Sequence, residues 1–66
     1  MKIIVNGKIE KTQEKSSIYE YLISKKLDPD TMIVEYRDEI INSNRLKEII
    51  LKEEDTLELF RIVGGG

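Results

Sequence analysis

Cysteine, histidine and tryptophan are absent from this 66-residue sequence, and proline occurs once. The first two absences remove a Cys/His zinc site, a Ser–His nucleophile pair, a side-chain thiol and any disulfide framework. Long apolar runs are missing too. The longest spans about three residues, against the roughly 20 that a membrane-crossing helix needs. The opening Met1-Lys2-Ile3-Ile4-Val5-Asn6 loses its apolar character too early for a signal peptide, so a cytoplasmic location is expected. A cationic surplus is lacking as well: 11 Lys and Arg against 13 Asp and Glu leave a net charge of −2. Binding to nucleic acid through counterion release is therefore disfavoured. The chain is also too short to enclose a drug-sized pocket, which argues against a self-contained enzyme. Apolar residues still make up 39% of it, enough for a folded core rather than a disordered tail.

Among what is present, glycine is the most informative. Three of the four glycines, Gly64, Gly65 and Gly66, are consecutive and close the sequence. The fourth stands in Asn6-Gly7, a strong signal for a two-residue hairpin turn between strands at residues 1–5 and 8–12. Alternation puts Met1, Ile3 and Val5 on one face, with Ile9 expected to fold back onto the same side. Ser17-Ile18-Tyr19-Glu20 is a capping box opening a helix to about Lys26. Its buried stripe is Ile18, Tyr21 and Leu22, and Lys25 and Lys26 would face the negative end of the helix dipole. Pro29 then stops the helix, and a strand over residues 31–36 turns Met32, Val34 and Tyr36 inward. Residues 37–39 read as a turn into a short strand at Ile40-Ile41, followed by a helical turn over residues 45–49. Residues 52–55 form a polar turn before a last strand over residues 56–63. A hairpin, one helix and further strands give an α+β fold. With the first and last strands adjacent, this is the β-grasp arrangement: a mixed sheet, one main helix on one face, and a chain that leaves from the sheet's middle. The expected organisation is one domain over residues 1–63 and a flexible glycine tail over residues 64–66.

Glycine has no Cβ, so such a tail can thread a channel too narrow for other residues. It would deliver one reactive group, the Gly66 carboxylate. Attack of that carboxylate on the α-phosphorus of ATP gives an acyl-adenylate and pyrophosphate, and a sulfur donor displacing AMP leaves a thiocarboxylate. A partner enzyme must hold the ATP, because the sequence has no phosphate-binding loop. No bound cofactor, metal ligand set or catalytic side chain is expected in the chain itself.

Over its whole length the sequence resembles the ThiS family of thiamine-biosynthesis sulfur carriers. The resemblance lies in the hairpin Met1-Lys2-Ile3-Ile4-Val5-Asn6-Gly7, the helix core Ile18-Tyr19-Glu20-Tyr21-Leu22 and Val34-Glu35-Tyr36 before Ile40-Ile41. It continues in Asp55-Thr56-Leu57-Glu58-Leu59-Phe60, running to Val63-Gly64-Gly65-Gly66. The last strand also resembles that of ubiquitin in its Thr-Leu-x-Leu opening and diglycine end. The resemblance implies that Gly66 is adenylated by an E1-like adenylyltransferase and converted to a thiocarboxylate, with a cysteine desulfurase as the ultimate sulfur source. It further implies delivery of that sulfur to thiazole synthase, with Gly64 and Gly65 as the threading segment. The chain would be a co-substrate rather than an enzyme. Two departures fall in turns: Arg37 where the family often has Asn, and Glu53-Glu54 where it often has Asp-Gly. Carriers for molybdopterin, cysteine or methionine pathways would look similar, as would a ubiquitin-like modifier or an interaction module with an inert tail.

Alternation along the last strand turns Leu57 and Leu59 inward and leaves Glu58, Phe60 and Ile62 outward, where Ile4 of the first strand joins them. This set is the expected docking surface for the partner enzymes. Glu53, Glu54 and Asp55 read as a solvated turn rather than a metal site.

Overall fold

The computed structural model describes residues 1–62. The expected tail, Gly64, Gly65 and Gly66, and the last expected strand residue, Val63, lie outside the described residues.

Strands β1 (Lys2–Val5) and β2 (Lys8–Lys11) form the expected hairpin. Asn6 and Gly7 take φ of 50° and 80°, the two positive values that a type I′ turn requires. That turn dictates the register: Val5 faces Lys8, and Ile4 faces Ile9. Ile9 therefore shares the face of Ile4, not of Ile3 and Val5, and is 66% exposed. This corrects its expected inward placement, because a two-residue turn leaves the even-numbered residue of β1 opposite the odd-numbered residue of β2.

Helix α1 (Ile18–Ser24) opens on the capping box. The Glu20 amide donates to Ser17 Oγ at 3.0 Å, and the Ser17 amide donates to Glu20 Oε1 at 2.9 Å. The helix stops two residues short of Lys26. Lys26 adopts φ 60°, and the amides of Lys26 and Leu27 turn back onto the carbonyls of Ile23 and Leu22. This is a Schellman ending, with lysine in the left-handed position that glycine usually fills. Neither lysine lies in the last helical turn; Lys25 instead pairs with Glu10 at 3.1 Å.

A short 3-10 turn, Pro29–Thr31, leads to β3 (Met32–Tyr36). Arg37 and Asp38, at φ 52° and 67°, form a second tight turn into β4 (Glu39–Ile41). The expected helical turn lies earlier than read, as a 3-10 turn at Ser43–Arg45. The segment after it is tied down through the bonds Ile18 amide to Ile49 carbonyl and Leu51 amide to Ser16 carbonyl. Strand β5 (Thr56–Arg61) then runs parallel to β1 and antiparallel to β3. Among the described residues the sheet order is β2-β1-β5-β3-β4, so β5 occupies the middle.

One face of this sheet is covered. Ile3, Val5, Val34, Ile41 and Leu57 pack against Ile18, Tyr21 and Leu22 of α1, with Leu46 and Leu51 closing the side. Each fully buried Leu or Ile contributes about 1.5–3 kcal/mol. Burial pushes the Tyr21 phenol up to about 12, helped by the charge of Glu10 and the hydrogen bond to it. A phenol raised in the fold is stabilising below its unfolded value of about 10, and that contribution disappears as pH climbs toward the folded value. Melting temperature should therefore fall between about pH 10 and about pH 12, with Tyr21→Phe flattening the slope. An equally steep fall in the variant would contradict this origin.

Candidate functional site

The other face of the sheet is open, and strand register decides what lies on it. Ile33 stands opposite Phe60, Glu35 opposite both Glu58 and Ile40, and Ile4 beside Thr56 in the parallel pairing. With Ile9 opposite Ile4, the four residues expected on this surface, Ile4, Glu58, Phe60 and Ile62, gain Ile9, Ile33, Glu35 and Ile40. Phe60 is 45% exposed, Ile62 50% and Ile40 72%. The sequence already held the signal for Ile33 and Glu35: if Met32, Val34 and Tyr36 point inward, their intervening neighbours must point out.

Two devices set the path of β5 across this face. The first is Asn6. Its side-chain Oδ1 accepts from the Leu59 amide at 2.8 Å, and its Nδ2 donates to the Leu59 carbonyl at 3.4 Å. The amide side chain takes the place of one more β1 residue, extending the pairing of β5 after β1 has turned away. On the other side, the Ile62 amide donates to the Thr31 carbonyl at 2.8 Å, carrying the β3 ladder to the end of the described chain. The central strand is thus held on the β1 side as far as Leu59 and on the β3 side as far as Ile62.

The second device is Asp55, which the sequence reading placed in a solvated turn. Glu53 and Glu54 are exposed, but Asp55 is only 6% exposed. Its Oδ2 accepts from the Tyr36 hydroxyl at 2.7 Å and the Lys52 amide at 2.8 Å. Its Oδ1 accepts from Arg37 Nη2 at 2.9 Å and Nε at 3.2 Å. Burial alone would raise this carboxyl. The Lys52 amide, the Tyr36 hydroxyl and the Arg37 guanidinium outweigh it and hold the group below the usual carboxylate range. The Asp55 carbonyl also receives the Ile4 amide at 2.8 Å, so the hub sits where β5 joins β1. Arg37 and Glu54 occupy left-handed positions, at φ 52° and 66°, that suit the family's Asn and Gly. Arg37 gains from that backbone a side chain that reaches Asp55.

Among the described residues no three or more acidic side chains are grouped so that they could hold a metal ion, and no described helix is long and apolar enough to cross a membrane. The larger hollow, about 330 Å³, lies between the 11–16 loop and α1 and has a polar lining that includes Lys11, Glu14, Lys15 and Lys25. A smaller one, about 130 Å³, lies on the open face near the Arg37-Asp38 turn.

Five strands in this order, one helix packed across them, and a central last strand define the ubiquitin-like β-grasp class. The fold aligns with the crystal structure of the thiamine biosynthesis protein ThiS from Geobacter metallireducens at a TM-score of 0.85, with 26% identity and full coverage of both chains. An NMR structure of a thiamine biosynthesis protein from the same organism aligns at 0.78, with 25% identity over the whole of this chain and 88% of that one. The sulfur carrier protein ThiS of Bacillus subtilis (strain 168) is 35% identical over 63 residues, covering 94% of this chain and 96% of the relative. The ThiS family model matches residues 3–66, and the chain belongs to the ThiS family.

Proposed function

We propose that this chain carries sulfur on its C-terminal carboxylate for assembly of the thiazole ring of thiamine. The family match supports this reading most strongly, because it runs through Gly66. In the first step a Gly66 carboxylate oxygen attacks the α-phosphorus of ATP held by an E1-like adenylyltransferase. The bond to the β-phosphate breaks and pyrophosphate leaves. Next, hydrosulfide, released by a thiol reductant from the persulfide that a cysteine desulfurase forms, attacks the acyl carbon, expels AMP and leaves a thiocarboxylate. Thiazole synthase then receives the sulfur. Gly64 and Gly65 thread the partner sites, ATP belongs to the activating enzyme, and the chain works in the cytoplasm as a co-substrate.

The open sheet face is the proposed docking surface. Phe60 lies on the strand that leads to the tail, with Ile33 beside it and Ile62 beyond. Phe60→Ala is expected to weaken binding to the activating enzyme about tenfold or more, as loss of an aromatic anchor does. Its half-exposed ring contributes little to the core, so the melting temperature should barely move. Unchanged affinity with a lowered melting temperature would reverse the assignment.

The pathway is tested by reconstitution with the activating enzyme, ATP, a sulfur source and thiazole synthase, using this chain as the sole carrier. Thiazole phosphate formation that depends on Gly66 is the expected result. Protein conjugates on lysine without thiazole would instead identify a ubiquitin-like modifier.

A further inference from the structure

The centre of the open face is acidic, and that is an unusual choice for a surface ringed by isoleucines. Glu35 and Glu58 stand directly opposite each other on β3 and β5, which brings their Cβ atoms to about 4.5–5.5 Å. Like charges in that position destabilise a sheet. Neither carboxylate has a cation within salt-bridge distance among the described residues. The guanidinium of Arg37, a residue that lines the same hollow, is engaged by Asp55 through two hydrogen bonds. Lys2, on the same face, pairs instead with Glu54 at 3.5 Å.

Around the two carboxylates the face is apolar on three sides. Phe60 and Ile33 lie toward the tail, Ile4 and Ile9 lie toward the hairpin, and Ile40 flanks Glu35. Glu35 and Glu58 line the hollow of about 130 Å³, together with Ile4 and Thr56 and, on its fourth side, Arg37 and Asp38. A volume of about 130 Å³ suits the head of one long basic side chain. From the charge and shape of this face we infer that the activating enzyme presents an arginine or lysine from an apolar patch. That cation enters between Glu35 and Glu58 while the patch covers Phe60, Ile33 and Ile4.

This inference rests on the proposed docking of the activating enzyme to the open face. Given that docking, the carboxylate pair has a clear use. It penalises the free carrier slightly, and the partner's cation relieves the repulsion on binding, so the pair favours partners with a cation in that place and disfavours those without.

The test uses the full chain and the activating enzyme without ATP, with affinity measured by titration calorimetry at roughly 50 and 300 mM salt. Glu35→Gln with Glu58→Gln is expected to lower affinity at least about tenfold at the lower salt, flatten the salt dependence, and leave the melting temperature equal or higher. Wild-type affinity and salt dependence in this double variant would overturn the inference. Phe60→Ala separates the two levels. If it weakens binding while the double variant does not, the face docks the enzyme but no cation enters between the glutamates. If neither variant has an effect, the docking reading itself fails, and the inference with it.

Discussion

Adding one alanine after Gly66 is expected to abolish activation of this carrier while leaving its melting temperature unchanged. The proposed chemistry places one carboxylate oxygen of Gly66 against the α-phosphorus of ATP, and an extra residue displaces that carboxylate by up to about 3.5 Å. Misplacement of about 1 Å can already cost about a hundredfold in rate, so the extended chain should fall at least that far. The added Cβ also enters the part of the channel proposed to admit only glycine. The core is built by Ile3, Ile18, Leu22, Val34 and Leu57, none of which the addition alters, so folding should be unaffected. Pyrophosphate release with the activating enzyme and ATP, read beside a thermal melt, checks both halves. Undiminished release would show that activation does not depend on the carboxylate being that of Gly66.

The second large effect is expected at Asp55. Replacement by alanine leaves the Tyr36 hydroxyl, the Lys52 amide and the Arg37 guanidinium without their shared acceptor. Hydrogen bonds to a charged, nearly buried carboxylate support a loss of about 2–3 kcal/mol. For a domain of this size that lowers the melting temperature by roughly 10–20 °C. Asp55→Asn should fall between the two, since an amide oxygen can still accept from the tyrosine or the amide but carries no charge for Arg37. The same carboxylate should shape the acid limb of stability. Its folded value lies below the usual one, so its contribution is present above about pH 4 and is lost as pH falls through the folded value. The wild type should therefore lose stability on acidification more steeply than Asp55→Asn. Parallel acid limbs would place the effect on other carboxylates.

Local signals made most of this fold readable from the sequence. Asn6-Gly7 sets a hairpin through its own backbone preferences, and Ser17 with Glu20 caps a helix through bonds three residues apart. Alternation along residues 56–61 separates the inward Leu57 from the outward Glu58 and Phe60 without reference to anything else. The misreadings have a common origin in relations between distant or turned segments. The face of Ile9 depends on register counted through the turn rather than on its own hydrophobicity. The helix end was overrun because the left-handed Lys26 carries no glycine to announce it. Asp55 looked like one of three solvated acids, but Tyr36 and Arg37, 19 and 18 residues away, turn it into a structural hub. Glu35 escaped notice as part of the docking face for a similar reason: its meaning comes from Glu58 across the ladder. The family could be recognised from the order of these local signals together with the glycine end, and the match over residues 3–66 agrees.

The central claim is that the main-chain terminus, rather than any side chain, carries the sulfur. Intact-mass analysis with C-terminal fragmentation, after incubation with the activating enzyme, ATP and a sulfur source, tests it most directly. The account predicts a sulfur-for-oxygen mass gain confined to Gly66. An unchanged mass with a partner that activates another carrier, or the added sulfur found anywhere else in the chain, would contradict it.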